Sequence, residues 1–106
     1  MVYLPEAEQE RGKLPAAERT AVYNAVRKLE ALGPDLPYPH TSAVAGTDGL
    51  RELRPRQGRS PWRAIYARAG DTFVIAAVAP EAQSDPRGFR RACQQAAERL
   101  AELEED

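Results

Sequence analysis

The sequence predicts a mixed α+β fold, made of an N-terminal αα-hairpin, an antiparallel sheet meander and a C-terminal helix. Two observations carry this prediction. Helix-like segments lie in the first and last parts of the chain, and short strand-like runs joined by tight turns lie between them. At 106 residues the chain has room for one domain and one core. We therefore expect residues 1–106 to form a single domain, with an acidic tail over about residues 101–106.

Two helices are predicted in the first third of the chain, after a short strand in MVYL. Pro5 stands where proline favours a helix start, and Gly12 weakens the brief helix that follows. A longer helix begins near Pro15 and ends at Gly33-Pro34, because glycine suits the position after a helix and proline cannot continue it. Its apolar side chains recur at three- and four-residue spacing and form one stripe for burial, made of Val22, Ala25, Val26, Leu29 and Leu32.

The middle of the chain predicts a connection followed by a meander of strands. Residues 34–48, PDLPYPHTSAVAGTD, form the connection, because their prolines forbid helix and disfavour a central strand. The strands are predicted over Leu50–Arg54, Trp62–Arg68 and Thr72–Ala79, and the linkers between them are short enough for hairpins. The last of these strands is apolar on both faces, so we expect it inside the sheet.

The last predicted helix starts at Asp85-Pro86, which have the residue types of an N-cap and a first helical position. Cys93 falls on its apolar side and is predicted to be a small core residue. The sequence ELEED at its end is acidic and is expected to fray. The apolar side consists of Phe89, Ala92, Cys93, Ala96, Ala97, Leu100 and Leu103.

The composition excludes several classes of protein. No apolar run approaches the roughly 20 residues of a membrane-spanning helix. The N-terminal MVYLPEAEQERGKLP lacks the basic and apolar regions of a secretion signal. Cys93 is the only cysteine and His40 the only histidine, so an internal disulfide cannot form and a metal site is not expected. We predict a cytoplasmic protein without a metal or any other cofactor.

Residues 49–68, GLRELRPRQGRSPWRAIYAR, concentrate positive charge on the predicted hairpin. The whole chain carries 15 basic and 16 acidic side chains. An arginine-rich hairpin with aromatic neighbours is typical of a surface that binds a phosphate backbone. The simpler alternative is a solvated face in a chain that is rich in arginine. The segment has a single acid, Glu52, and its arginines are Arg51, Arg54, Arg56, Arg59, Arg63 and Arg68.

Strand alternation divides these side chains between the two faces of the sheet. Glu52 and Arg54 share one face, and Arg51 points to the other. On the next strand, Arg63 and Tyr66 point in opposite directions if the strand is regular. Alternation therefore predicts that the hairpin arginines cannot all contact one ligand.

Three segments of the chain resemble the RelE/ParE superfamily of small toxins from type II toxin–antitoxin systems, and within it the HigB-like, phage-derived branch. Residues 25–39, AVRKLEALGPDLPYP, resemble the family's second helix and the turn after it. GLRELRP resembles a Leu-x-Glu-Leu-Arg strand, and WRAIYAR resembles an aromatic-Arg-x-x-Tyr strand. The resemblance spans about residues 15–100, with the segments in the family's order.

This resemblance implies cleavage of messenger RNA, usually on the ribosome, by a toxin that a cognate antitoxin silences. Arg54 and Arg63 match strand arginines of the family and are candidates to compensate the charge of the scissile phosphate. Tyr66 matches the family tyrosine and is a candidate proton donor or base-stacking surface. Glu52 is a candidate general base, or an anchor for the two arginines. The other candidates, for contacts with RNA or the ribosome, are Arg51, Arg56, Arg59 and Arg68.

The chain departs from the family just after the last strand. Active relatives commonly carry Phe-x-Lys-Lys there, and the lysine pair falls on Pro80-Glu81 in this sequence. A carboxylate at this place repels a phosphate unless it acts as the general base. His40 is a further acid–base candidate if the long connection folds over the sheet.

Three functions stay open from the sequence. The first is a ribosome-associated mRNA endoribonuclease toxin, held in a hetero-oligomer with its antitoxin. The lost lysine pair favours the second, a non-cleaving toxin-fold module that acts on a protein such as gyrase or only binds an antitoxin. The third is a small domain whose arginine hairpin docks on an acidic partner. None of the three involves a membrane.

Overall fold

The computed structural model describes residues 1–105, so Asp106 of the predicted acidic tail lies outside the described residues. Helices and strands appear in the predicted α+β order, and short 3-10 turns lie at Gly33–Asp35 and Pro55–Gly58. The elements are β1 (Val2–Tyr3), α1 (Pro5–Gly12), α2 (Ala16–Leu32), β2 (Thr41–Ala43), β3 (Arg51–Leu53), β4 (Trp62–Ala69), β5 (Thr72–Pro80) and α3 (Pro86–Glu105).

The strands form one sheet in the order β1-β5-β4-β3-β2. The predicted antiparallel meander is confirmed for β3, β4 and β5, and β5 lies inside the sheet as its apolar sequence indicates. At one edge β1 runs parallel to β5, pairing Val2 with Val74. The sequence did not predict this parallel pair, because MVYL is too short to show a partner.

The prediction of a connection without a strand over residues 34–48 is wrong for Thr41–Ala43, which form β2 at the other edge of the sheet. Two physical reasons explain the error. A strand of 3 residues is too short for alternation to be visible. Prolines also stand just before it, and an edge strand tolerates them better than a central one does.

The sheet separates two apolar cores. On one face, α1 and α2 pack over a cluster that includes Val22, Leu29 and Tyr66. On the other face, α3 packs over a cluster that includes Ile65 and Cys93. Cys93 is a buried core residue as predicted, and burial raises the pKa of its thiol to about 11.

Both long helices end or begin at the predicted signals. Gly33 follows α2 with a φ of 55°, a left-handed conformation that glycine adopts without the steric cost of a Cβ. At the start of α3, the Asp85 carboxylate accepts a hydrogen bond from the Gly88 backbone N–H at 2.9 Å. This bond satisfies one of the free N–H groups of the first helical turn. Within residues 1–105, no helix has the length and apolar character needed to cross a membrane.

A bulge in β5 is stabilised by an ion pair between the first and last helices. Ile65 pairs with Ala77 and Tyr66 with Ile75, so Ala76 is an extra residue without an opposite partner. Arg99 donates to the Ala76 carbonyl at 2.8 Å and to the Glu10 carboxylate at 3.0 Å. Glu10 in turn accepts from the Val78 backbone N–H at 3.0 Å. Two side chains therefore satisfy backbone groups of β5 just beyond the residues that pair with β1.

We predict that Glu10→Ala lowers the free energy of unfolding by about 1–3 kcal/mol, because it leaves the Val78 N–H and the Arg99 guanidinium without their acceptor. Urea denaturation measures this change. Glu8→Ala is the matched control, since Glu8 is exposed on the same helix. Equal stability of the two variants would contradict a role for Glu10 in holding β5.

Candidate nucleic-acid interface

The sheet divides the arginines that the sequence places on one hairpin. Arg51 lies opposite Tyr66, whose ring is in the core beneath α1 and α2. Glu52 lies opposite Ile65, which is in the core beneath α3. Arg63, two residues before Ile65, shares this second face. The opposite orientations of Arg63 and Tyr66 that alternation predicts are therefore present, and the bulge does not bring the two side chains together.

Arg63 is buried, with 4% of its surface exposed. Its Nε lies 3.6 Å from the Glu52 carboxylate. Burial lowers the pKa of Arg63 from its ordinary value, and the nearby carboxylates oppose this shift. Because its donors already face protein acceptors, Arg63 holds the β3–β4 loop rather than presenting charge to a ligand. The terminal nitrogens donate to the carbonyls of Ser60 (2.6 Å), Trp62 (2.9 Å) and Gly58 (3.4 Å) and to the carboxylate of Glu81 (3.0 Å).

Two carboxylates neutralise this part of the hairpin. The Glu52 carboxylate lies 3.7 Å from Arg54 Nε as well as 3.6 Å from Arg63 Nε, so it stands between the two guanidinium groups. Glu81 binds Arg63 at 3.0 Å and accepts from the Ser84 hydroxyl at 2.5 Å. This geometry fits the second role considered for Glu52, an anchor for the arginines. It also places Glu81 beside Arg63 as an ion-pair partner.

Tyr66 is a core residue in this structure, with 2% of its surface exposed. Its hydroxyl lies 2.6 Å from the Thr41 hydroxyl, and its ring meets Phe73 edge-on with centroids 5.8 Å apart. Thr41 also accepts from Arg51 Nε at 3.3 Å. A buried ring offers no face to a nucleobase, and its hydroxyl is already bonded. The arrangement gives Tyr66 a structural position rather than one in contact with a substrate.

A concave basic site lies between α2 and the end of β3, and we call it the α2 cleft. Its volume is about 200 Å³. Three cationic side chains, Lys28, Arg54 and Arg56, line it together with the imidazole of His40, and no carboxylate is among the lining residues. Low-dielectric walls strengthen the field inside such a cleft, and the carboxylates of Glu52 and Glu18, which pair with Arg54 and Arg56 from outside the lining, weaken it. The other lining residues are Ala17, Thr20, Ala21, Asn24, Ala25 and Leu53.

Arg54 lines the α2 cleft and also contacts an exposed aromatic ring. Its guanidinium carbon lies 5.5 Å from the centroid of the Tyr38 ring, within the range of a cation–π contact. Its Nε is buried and makes no hydrogen bond within the described residues. The side chain keeps 22% of its surface exposed. Of the two arginines chosen as catalytic candidates, Arg54 alone lines the α2 cleft.

Arg56 reaches the same cleft from a strained loop. Arg56 and Gln57 adopt left-handed backbone conformations, with φ values of 53° and 59°. Such conformations cost of order 1–3 kcal/mol each and persist where neighbouring contacts impose them. Here Arg56 donates to the Glu18 carboxylate at 2.8 Å, and Glu18 also accepts from the Ser60 hydroxyl at 2.7 Å. These hydrogen bonds lower the pKa of Glu18 from its ordinary value.

A second basic site, which we call the Phe73 cleft, lies near the C-terminal end of α2. It has a volume of about 280 Å³ and takes its cations, Arg51 and Arg68, from β3 and β4. The terminal nitrogens of Arg51 make no hydrogen bond within residues 1–105, whereas Arg68 donates to the Gly70 carbonyl at 2.9 Å. No carboxylate lines this cleft either, and its remaining lining is Gly33, Pro34, Leu36, Thr41, Gly49, Tyr66 and Phe73.

The predicted site residues therefore occupy separate places. Arg54 and Arg56 share the α2 cleft, and Arg51, Arg68 and Tyr66 share the Phe73 cleft. Arg63 and Glu52 form the buried ion-pair cluster on the other face. Arg59 is exposed, donates to the Arg56 carbonyl at 3.2 Å and lines neither cleft.

The α2 cleft contains polar residues of α2 that the sequence analysis did not select. Thr20, Asn24 and Lys28 recur every four residues, which places them on one side of α2 beside its apolar stripe. This polar stripe is the signal that could have indicated them. His40 is predicted to be an acid–base candidate if the connection folds over the sheet, and it does line the cleft. Among residues 1–105, His, Cys, Asp and Glu side chains form no group of three that could hold a metal.

We predict that Arg63→Ala destabilises the protein by about 3–5 kcal/mol, because it removes one partner of a buried ion pair and leaves the loop carbonyls without their hydrogen-bond donor. Urea denaturation measures the change. Arg59→Ala is the control, since it removes an exposed arginine of the same loop and is expected to stay within about 0.5 kcal/mol of the parent. A loss below 1 kcal/mol for Arg63→Ala would contradict the structural role.

Comparison with known proteins agrees with this fold. The sequence profile of the family described as phage-derived protein Gp49-like (DUF891) matches residues 9–102. A search of curated protein sequences found no match. Among solved structures, the crystal structure of the RelB–RelE antitoxin–toxin complex from Methanococcus jannaschii contains a similar chain. The TM-score is 0.62 at 10% sequence identity, over 76% of this chain and 89% of that one.

At this identity the structural likeness establishes a shared fold, which is the α+β fold that the RelE/ParE resemblance predicts. The HigB-like branch stays a prediction. The profile match covers most of the sequence, from α1 to the last turns of α3. The chain therefore belongs to the family of phage-derived Gp49-like proteins.

Proposed function

We propose that this chain is the toxin of a type II toxin–antitoxin system and acts as an endoribonuclease on messenger RNA at the ribosome. The observation that carries the proposal is the α2 cleft, in which three cations and the only histidine line one concave site without a carboxylate. Membership of the Gp49-like family and the fold shared with a chain of a RelB–RelE antitoxin–toxin complex support the proposed toxin role.

The cleft suits an RNA phosphate in charge and in shape. Arginine forks match the oxygens of a phosphate, and Lys28 adds a compact charge on the facing helix. Arg54 is the candidate to contact the scissile phosphate, because its side chain is partly exposed and lines the cleft. Arg63 acts in this proposal as a positioning residue that fixes the loop between Arg54 and β4.

The proposed reaction needs a proton acceptor and a proton donor. The 2′-hydroxyl loses its proton to the His40 imidazole, and its oxygen forms a new bond to phosphorus. The bond from phosphorus to the 5′-oxygen breaks, and that oxygen takes a proton from the Lys28 ammonium or from water. Arg54 stabilises the charge on the phosphate oxygens during this exchange. The products are a 2′,3′-cyclic phosphate and a free 5′-hydroxyl.

A non-cleaving toxin-fold module is the second candidate, and a specific observation favours it. Glu52 compensates the charges of Arg54 and Arg63, and Glu81, which stands where the resemblance implies a lysine, compensates Arg63 as well. A neutral cluster holds a phosphate weakly. In this case the chain binds a protein such as gyrase, or an antitoxin alone, and leaves transcripts intact.

The proposed partner is a cognate antitoxin, in a hetero-oligomer formed in the cytoplasm. β2 is an edge strand that pairs only with β3, so one side of its backbone is open to strand addition. An antitoxin segment that adds there lies next to His40 and Thr41, which line the two basic clefts.

We predict that induced expression in bacteria arrests growth and creates new 5′ ends in messenger RNA, and that Arg54→Gln abolishes both. Loss of one preorganised charge donor is expected to slow cleavage by about 100-fold or more. Arg91→Gln is the matched control, because it removes the same charge from an exposed position on α3 that lines neither cleft.

The outcomes separate the candidates. Arrest with intact transcripts would support the non-cleaving module and reject the ribonuclease. Full activity of Arg54→Gln would reject the α2 cleft as the site of cleavage. Normal growth on expression of the parent chain would reject the toxin itself.

A further inference from the structure

We propose that Tyr38 is a stacking platform for a base of single-stranded RNA, placed between two clefts that bind the flanking phosphates. The inference rests on the proposed function and specifies its substrate class. The juxtaposition that carries it is an exposed aromatic ring on a segment that contributes residues to both basic clefts.

Tyr38 is the most exposed large hydrophobic side chain of the described residues, with 72% of its surface accessible. It stands between Pro37 and Pro39, which restrict the backbone on both sides of it. Tyrosine in addition has few side-chain torsions to order on binding. A ring presented in this way loses little conformational freedom when a planar ligand stacks on it.

The Tyr38 ring also contacts a cation that lines the α2 cleft. The Arg54 guanidinium carbon lies 5.5 Å from its centroid. Because Arg54 lines the α2 cleft, the same side chain can hold a phosphate oxygen while its charge steadies the aromatic ring. Stacking surfaces next to arginines are the usual means by which proteins hold single strands without reading a sequence.

The segment that carries Tyr38 contributes residues to both clefts. Leu36 and Thr41 line the Phe73 cleft, and His40 lines the α2 cleft, so the segment Leu36–Thr41 forms part of the wall of each. The α2 cleft supplies Lys28, Arg54 and Arg56, and the Phe73 cleft supplies Arg51 and Arg68. A strand that crosses this segment thus meets cations, an aromatic ring and cations again.

The alternation of cations, aromatic ring and cations matches a single strand and excludes a duplex as the preferred ligand. In an RNA helix each base face is covered by its neighbours, and the protein meets only phosphates, hydroxyls and base edges. An unpaired strand can turn one base out of its stack and place a phosphate on each side of it. The geometry therefore assigns an unpaired messenger segment, with little preference for the base that stacks.

The test is fluorescence anisotropy with a labelled 2′-O-methyl oligonucleotide about 12 nucleotides long, which binds as a single strand and cannot be cleaved through its blocked 2′-oxygen. Tyr38→Ala is expected to weaken binding by roughly 5- to 100-fold, the range found for the loss of one base–aromatic stack. Tyr38→Phe keeps the ring and is expected to bind like the parent protein. The same sequence as a duplex is expected to compete poorly.

Tyr23 provides a matched control within the same chain. It is 54% exposed and also has an arginine beside its ring, Arg27, with the guanidinium carbon 6.0 Å from the centroid. The difference lies in the arginine, because Arg27 lines neither cleft, whereas Arg54 beside Tyr38 lines the α2 cleft. Tyr23→Ala is therefore expected to bind the oligonucleotide like the parent protein. Both tyrosines are exposed, and urea denaturation of the variants verifies that each one folds.

The possible results distinguish this inference from the proposed function. Equal binding by Tyr38→Ala and Tyr23→Ala would overturn the platform, as would the absence of single-strand binding by the parent protein. Loss of binding in Arg54→Gln but not in Tyr38→Ala would overturn the platform and leave the phosphate site of the α2 cleft in place. Binding that depends on Tyr38, in a protein that cuts no transcript in cells, would support the platform and reject the ribonuclease.

Discussion

The buried guanidinium of Arg63 is the interaction on which the hairpin end of the molecule depends. A charge with 4% exposure has to find a full set of acceptors, and it finds them in the loop before β4, in β4 itself and in Glu81 after β5. This requirement fixes the β3–β4 loop in a conformation that includes left-handed residues. Arg54 and Arg56 come just before the carbonyls that Arg63 binds, so Arg63 positions the loop that carries them, and Glu18 holds the Arg56 side chain.

Near-neutral composition and basic clefts coexist because several arginines form ion pairs with carboxylates of the same chain. Arg63 is compensated by Glu52 and Glu81, Arg56 by Glu18, and Arg99 by Glu10. Within residues 1–105, Lys28 of the α2 cleft and Arg51 of the Phe73 cleft are the lining cations that form no ion pair, whereas Arg54, Arg56 and Arg68 each have a carboxylate partner. Local potential, rather than net charge, is therefore the quantity that decides whether a phosphate backbone can bind.

The sequence predicts well whatever depends on neighbours along the chain. The stripe on α2 from Val22 to Leu29, the Asp85 cap, the interior position of β5 and the opposite orientations of Arg63 and Tyr66 all follow from spacing. The prediction that Leu32 is buried with this stripe is wrong, because Leu32 is the last residue of the helix and is 48% exposed. The two clefts cannot be predicted from spacing, because each is lined by residues from distant parts of the chain. No local pattern in the sequence fixes how a helix docks on a sheet. The resemblance to a toxin family pointed to Arg63 and Tyr66, but tertiary packing buries both. The exposed candidates come instead from the connection and from the polar side of α2.

The pairing of β1 with β5 and of Glu10 with Arg99 has a consequence for the order of folding. Val2 finds its strand partner at Val74, and Glu10 finds its guanidinium in the last helix. During synthesis the N-terminal helices therefore emerge long before the segments that they bind, and the sheet closes late. A fragment that ends before β5 lacks the strand that joins β1 to β4. Completion of the sheet therefore requires that β5 has been translated.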